Sequence, residues 1–281
     1  MSSRAILTLG MHRSGTSAVA RGLQALSVYL GNNFLDAQPE NPTGYWEDKS
    51  IVELNDRVLA ALGLHWDSLA PVARNEFDRF RIRLLRRKAA QYVKRTFESR
   101  PLWGFKDPRT IRLLPFWLRL LRDRRVNDSY VVVIRNPMSV AASLFRRQAM
   151  DAATAQRLWL VHMVPHLRDL RDKPMVVVDY DLLMQQPRPQ LERIARRLNL
   201  PAPSEAASRE IDRFASDFLD ERLRHTRFSP DEFDPTTDES RLIKAAFFLL
   251  YESAADRIEP NAKLWSGWEK IERDFEALPN P

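Results

Sequence analysis

The chain has 281 residues, of which 44% are hydrophobic and 29% charged, a composition typical of a protein with a buried core. It has no cysteine, which excludes disulfide frameworks, zinc–thiolate sites and cysteine nucleophiles. The formal net charge is +7, and arginine is more abundant than lysine. The excess of arginine is explained equally well by binding of phosphate or sulfate groups and by a genomic composition bias.

The first predicted elements are an apolar strand over residues 5–10 and a helix from residue 16. Further strands are predicted over residues 102–106, 130–135 and 175–180. Helical patterns separate the strands and cover residues 50–62, 78–98, 110–122, 139–147 and 152–170. Continuous apolar strands that alternate with helices are typical of a parallel sheet covered on both faces. Beyond about residue 200 the chain is predicted to be helical, with an irregular loop over residues 224–240.

The loop between the first strand and the first helix reads HRSGTS. Gly10 and Gly15 have the spacing of a phosphate-binding loop, but Thr16 stands where the nucleoside-triphosphate motif has lysine. A glycine turn before a helix lets backbone N–H groups converge on an anion. We therefore predict that Gly15, Thr16 and Ser17 bind an anion with the help of Arg13; the alternative is an ordinary turn without a ligand.

A second anion site is predicted at the end of the third strand. Arg135 ends this strand, and Ser143 lies two turns into the following helix. Ligands of open α/β sheets bind beyond the carboxyl ends of the strands, where these two side chains can converge. The alternative is an arginine that bonds helix-terminal carbonyls and a serine that faces solvent. Two anion sites together favour a ligand with phosphoryl-type groups at two places.

A magnesium-dependent kinase is a competing interpretation of the same pattern. Such an enzyme needs a carboxylate after an apolar strand to hold the metal. Asp179 meets this requirement, but Arg135 occupies the other candidate position and the loop lacks its lysine. The kinase hypothesis therefore depends on Asp179 alone.

Several segments resemble the sulfotransferases that use 3′-phosphoadenosine 5′-phosphosulfate (PAPS). HRSGTS resembles their 5′-phosphosulfate loop, and RNPMSVAASLFRR resembles their 3′-phosphate motif, with Arg135 and Ser143 at the matching arginine and serine. GFKDPR and NPTGYWED are similar to segments of bacterial and carbohydrate-type members, and residues 176–200 are similar to the segment after the third core strand. The resemblance covers about residues 5–200.

The resemblance implies a three-layer, P-loop NTPase-like sulfotransferase fold with a central sheet of about five parallel strands. It implies one domain over residues 1–281, with a core over about 5–200 and a helical extension over about 201–281. The implied activity is sulfuryl transfer from PAPS to a hydroxyl acceptor, a carbohydrate or glycolipid, without a catalytic metal. The residues implied to bind PAPS are Arg13, Ser14, Gly15, Thr16, Ser17, Arg135 and Ser143.

The resemblance also implies catalytic roles. Arg13 is expected to steady the leaving phosphate, and Lys106 in GFKDPR to carry transition-state charge; a Lys106–Asp107 surface ion pair is the alternative. Two candidates for the general base stay open. Glu47 opens a predicted helix, where it could simply balance the helix dipole, and His65 is the other candidate.

We expect a hydroxyl-bearing acceptor and no nucleic acid as partners, because no nucleic-acid motif is present. The apolar N-terminal run is short and interrupted, so we predict a cytoplasmic protein without a signal peptide or transmembrane helix. The basic segment 78–100 is predicted to be a solvated helix face, with contact to an acidic glycan or a membrane surface as the alternative. A non-catalytic nucleotide-binding protein on the same fold is the third functional hypothesis.

Overall fold

The computed structural model describes residues 3–38, 43–219, 228, 232, 235–260 and 262–279. These residues form a parallel sheet of four strands in the order β2–β1–β3–β4. The strands are β1 (Arg4–Leu9), β2 (Leu102–Lys106), β3 (Asn127–Ile134) and β4 (Met175–Asp179). The predicted α/β class and parallel sheet are therefore confirmed, with four strands in the described residues where about five were expected.

Eleven α-helices accompany the sheet in the described residues. They are α1 (Thr16–Ala25), α2 (Lys49–Ala61), α3 (Phe80–Thr96), α4 (Leu114–Asp123), α5 (Pro137–Gln148), α6 (Ala152–Met163), α7 (Tyr180–Gln185), α8 (Pro187–Arg197), α9 (Glu205–Arg213), α10 (Asp238–Ala254) and α11 (Ala262–Glu276). Each of these helices is too short or too polar to cross a bilayer.

Prolines account for two differences from the predicted helices. The helix predicted over residues 110–122 is split into a 3₁₀ turn, Pro108–Ile111, and α4, which begins next to Pro115. Proline suits the first turn of a helix because its missing N–H would have no partner there. The helix predicted over residues 152–170 ends at Met163, and Pro165 separates it from the 3₁₀ turn Leu167–Leu170.

Alternate residues of the strands point to opposite faces of the sheet. Val132 and Val177 pack into a core shared with α2 to α6, α10 and α11, whereas Val131, Val133 and Val176 pack into a second core under α1, α8 and α9. In the register of β3 and β4, Val132 stands opposite Val177. Both faces of the sheet are thus covered, which explains why the strands are apolar without polar alternation.

The ends of the strands bring the polar segments together. Because the four strands are parallel, their carboxyl ends lie at one edge of the sheet. The loop 10–15 follows β1, Lys106 ends β2, Arg135 follows β3 and Tyr180 follows β4. All of the predicted nucleotide-binding segments therefore meet at this edge.

Candidate active site

A cavity of about 940 Å³ opens at this edge of the sheet. Its wall includes Arg13, Gly15, Thr16 and Ser17 from the first loop, Glu47 before α2, Lys106 and Arg109 after β2, and Arg135 and Ser143 from β3 and α5. The structure thus brings most of the predicted site residues to one cavity. Ser14 is buried within the loop and does not line the cavity.

The first loop has the geometry of an anion-binding turn. Gly15 caps α1 with a φ of 86°, in the left-handed region that favours glycine. A Cβ atom at Gly15 would also overlap the ring of Tyr180, so any other residue would strain the turn and displace the ring. Helix α1 begins at the cavity wall, and the N–H groups of its first turn lack intrahelical partners.

The two predicted anion sites adjoin each other. Arg13 Nε donates to Ser143 Oγ at 2.9 Å, and Arg135 Nη1 donates to the Arg13 carbonyl oxygen at 3.3 Å. The Arg135 guanidinium also lies over the ring of Tyr180, 4.8 Å from its centroid. Ser143 was predicted to act with Arg135, whereas here it accepts from Arg13, so Arg13 links the loop to the second site.

A buried ion pair lies on the other side of the first loop. Lys106 Nζ is 2.6 Å from Glu47 Oε1, and it also lies within 3.2 Å of Ser17 Oγ and 3.1 Å of the Tyr45 carbonyl oxygen. The side chains of Glu47 and Lys106 are both buried. The alternative considered for Lys106, a surface pair with Asp107, is not present, because Lys106 forms a buried pair with Glu47 instead.

Glu47 does not cap the helix that follows it. The N-cap of α2 is Asp48, whose Oδ1 accepts from the N–H groups of Ser50 and Ile51 at 3.0 Å each. Glu47 faces the cavity instead. Burial raises the pKa of the Glu47 carboxyl above its usual value, against the opposing charge of Lys106. A carboxyl with a raised pKa is better matched to proton transfer near neutral pH than an ordinary glutamate.

Arg109 is held at the cavity wall by two carboxylates. Its Nη1 lies 2.9 Å from Asp107 Oδ1, and its Nε lies 2.6 Å from Asp56 Oδ1. Asn55 Nδ2 donates to Asp107 Oδ2 at 2.8 Å, and Trp117 Nε1 donates to Asn55 Oδ1 at 2.9 Å. This network fixes the Arg109 guanidinium at the cavity wall.

The two histidines near the site differ in position. His65 is 67% exposed, pairs with Asp67 at 2.7 Å and does not line the cavity. His12 does line it, next to the ring of Trp66. Burial and the charge of Arg109 hold the pKa of His12 well below its usual value, so His12 is neutral at pH 7.

Asp179 is not placed as a metal ligand in the cavity. Its Oδ1 accepts from the N–H groups of Asp181 at 2.9 Å and Leu182 at 3.0 Å, so it caps α7. Within the described ranges, no group of three or more His, Asp or Glu side chains could hold a metal ion.

Residues 41–42 and the basic loop residues Arg224, His225 and Arg227 lie outside the described residues.

Some cavity residues were not singled out in the sequence. Arg146 and Arg147 line the cavity, and their spacing of three and four residues from Ser143 puts them one helical turn further along α5. That spacing could have revealed them. The apolar end of the cavity, with Met184, Phe218 and Leu219, has no motif that would reveal it.

A sequence model of the sulfotransferase family matches residues 5–204, more than two thirds of the chain. The chain has no significant match among curated proteins. Solved structures that are similar to it include a sulfotransferase from Mycobacterium tuberculosis, with 15% identity over 88% of this chain and 77% of that one and a TM-score of 0.45. The sulfotransferase domain of the Synechococcus olefin synthase has 17% identity over 100% and 97%, with a TM-score of 0.42. Retinol dehydratase in complex with androsterone and the inactive cofactor PAP has 14% identity over 99% and 82%, with a TM-score of 0.36.

Proposed function

Because the chain belongs to the sulfotransferase family, we propose that it transfers a sulfuryl group from PAPS to a hydroxyl group of a carbohydrate or glycolipid acceptor. The proposal includes a metal-independent reaction and a cytoplasmic location. The acceptor class comes from the resemblance of GFKDPR and NPTGYWED to segments of carbohydrate-type members.

One observation carries the proposal: the first loop and Arg135 share one cavity and are in direct contact. PAPS has anionic groups at its 5′ and 3′ positions, so it needs two anion sites within one ligand length. The N-terminus of α1 and Arg13 provide the first site, and Arg135 with Ser143 provides the second. The bond from Arg135 to the Arg13 carbonyl oxygen holds the two sites at a fixed spacing.

The residues beside the loop are suited to sulfuryl transfer. When bound, PAPS supplies an activated sulfuryl group whose bond to phosphate breaks as the acceptor oxygen attacks sulfur. Glu47 accepts the proton of the acceptor hydroxyl, since its raised pKa suits a general base. Lys106 lies between Glu47 and Ser17, where its ammonium steadies charge on the transferring group, and Arg13 steadies the phosphate that leaves.

Nucleotide binding and transfer are tested separately. Isothermal titration calorimetry with 3′-phosphoadenosine 5′-phosphate (PAP), in buffer with a chelator and no magnesium, is expected to show binding. Absence of binding would remove the proposal. Transfer of labelled sulfate from PAPS to a panel of glycans and glycolipids then tests activity. PAP binding without transfer to any acceptor would favour the non-catalytic nucleotide-binding protein instead.

A further inference from the structure

Helix α3 carries an unusually large positive charge. Its 17 residues include seven that are basic and none that is acidic. Ile82, Ala89 and Val93 are buried, so this side of the helix packs into the core. The basic residues therefore concentrate on the remaining surface of the helix.

The exposed side of α3 is ordered in three parallel rows. At about 100° per residue, the centre of the exposed arc holds Phe80, Leu84 and Gln91. One flank holds Arg83, Arg87 and Lys94, and the other holds Arg81, Lys88 and Arg95. All nine residues are exposed to solvent. We call these nine residues the α3 face. Its central row is a ridge that is apolar at Phe80 and Leu84 and polar at Gln91, and it lies between two rows of three cations each.

The large apolar side chains of the ridge are unusually exposed to solvent. Phe80 is 65% exposed and Leu84 is 39% exposed. A depression of about 490 Å³ adjoins the ridge, lined by Leu84, Leu85, Ala61 and neighbouring basic residues. Transfer of such a solvent-exposed apolar side chain into an apolar environment lowers the free energy of the system.

The cations of the α3 face have few partners within the chain. Arg81, Arg87, Lys88 and Lys94 form no ion pair with any residue that the structure describes. On other helix surfaces, exposed cations pair one turn away, as Lys270 does with Asp274 at 3.3 Å. These four cations of the α3 face thus carry positive charge that no ion pair within the described part of the molecule compensates.

We propose that the α3 face binds the surface of a membrane that contains anionic phospholipids, with the helix axis parallel to that surface. Phe80 and Leu84 enter the boundary between headgroups and acyl chains. The two rows of cations reach the phosphate and carboxylate groups on either side, and their aliphatic stems cover the adjoining apolar surface. The proposal does not depend on the proposed sulfuryl transfer.

Charge and composition disfavour two other occupants. A second copy of the α3 face would bring six cations against six cations, which repel each other. A soluble polyanion would use the cations, but it would leave Phe80 and Leu84 in water. A lipid surface satisfies both the cations and the ridge.

Cosedimentation of the full chain with lipid vesicles tests the proposal. We expect binding to phosphatidylcholine vesicles that contain phosphatidylserine, weak or no binding to phosphatidylcholine alone, and loss of binding at high salt. The double variant Phe80→Ser, Leu84→Ser should lower the partition coefficient at least about tenfold. The double variant Arg87→Glu, Lys88→Glu should lower it at least about 100-fold.

Two matched controls separate the α3 face from general effects. Phe145→Ser removes another large apolar side chain, 61% exposed, and is expected to keep vesicle binding. Lys270→Glu with Arg273→Glu makes the same change in net charge on α11 and is also expected to keep it. Circular dichroism spectra should match among all variants because the substituted residues are exposed.

Three results would overturn the proposal. The first is an absence of binding to phosphatidylserine vesicles by the intact chain, and the second is an equal loss of binding in the α11 control. The third is binding to a sulfated polysaccharide that needs Arg87 and Lys88 while the double variant Phe80→Ser, Leu84→Ser has no effect on vesicle binding. Because PAP binding is measured without vesicles, its failure would leave this test unaffected.

Discussion

At the scale of single residues, the buried pair of Glu47 and Lys106 is the place where we propose that the chemistry occurs. A buried ion pair costs desolvation on both sides, and a stability role alone gives little reason to keep one. Here the pair faces a cavity, and Lys106 also contacts the loop through Ser17. The cost of desolvation is therefore expected to serve function, since perturbed titratable groups cluster at active sites.

The first prediction concerns Glu47. Glu47→Gln keeps the size of the side chain and can still accept from Lys106, but it cannot take a proton. We expect PAP affinity within about twofold of the original and a turnover number lower by about 10²–10⁴-fold. In the original chain, turnover should fall as pH drops through the raised pKa of Glu47, because protonation removes the base. A labelled-sulfate assay across pH measures both effects. If the variant keeps a turnover number near that of the original chain, Glu47 is not the base and another group has this role.

The second prediction concerns Arg135. Arg135→Ala removes charge-assisted bonds to one anionic end of the nucleotide, and should weaken PAP binding by at least about 1–2 kcal/mol. Calorimetry without magnesium measures this change. Arg188→Ala is the matched control, because Arg188 pairs with Asp212 and Glu192 and does not line the cavity. Equal affinities of the two variants would contradict the assignment of Arg135.

At the scale of elements, the strands and helices could be predicted from local sequence patterns. The strands were found because their residues are continuously apolar, and β2 was predicted with the bounds that it has. The contact of Lys106 with Ser17 could not be predicted, since 89 residues separate them. The capping of α2 by Asp48 was not predicted either. The backbone at Trp46, just before Glu47, has a φ of 58°, and no local sequence motif indicates this conformation.

The third prediction concerns the cap of α7. Burial and the charge of Asp181 raise the pKa of Asp179 from 3.8 to about 7. Between these values the folded protein holds a proton that the unfolded chain has released, so the free energy of unfolding falls as pH rises through this window. Asp179→Asn keeps the oxygen that accepts from Asp181 and Leu182 but cannot ionise. We expect this variant to be more stable than the original chain at pH 8, by about 1 kcal/mol or more.

An exposed cap provides the control for Asp179. Asp151 caps α6, and its hydrogen bonds from Thr154 lower its pKa. Its contribution is present above its ordinary pKa and is lost as pH falls through the lowered one. Asp151→Asn should therefore show the opposite trend, with its largest loss of stability at neutral pH. Urea denaturation of both variants from pH 2 to pH 8 compares the trends, and identical slopes would contradict the assignment for Asp179.

At the scale of the whole molecule, the C-terminal helices complete the core of the sheet. Phe247 of α10 and Trp268 of α11 are buried in the same apolar cluster as Val177 of β4. Arg193 of α8 joins these parts directly: it donates to the Val177 carbonyl oxygen and to the Ser253 carbonyl oxygen, each at 2.7 Å. Sequence alone could not place these helices, because the contacts are between residues far apart in the chain.

The fourth prediction follows from this shared core: the chain unfolds as one domain. Calorimetry of the full chain should give one transition whose van't Hoff and calorimetric enthalpies agree. A fragment of residues 1–200 would expose the apolar surface under α10 and leave Arg193 without Ser253, so we expect no cooperative transition. Phe247→Ala should lower the midpoint of the whole transition, at a cost of about 3–5 kcal/mol. If the fragment unfolds cooperatively at the midpoint of the full chain, or if Phe247→Ala splits the transition in two, the chain has two domains and the cavity at the sheet edge is stable without its C-terminal helices.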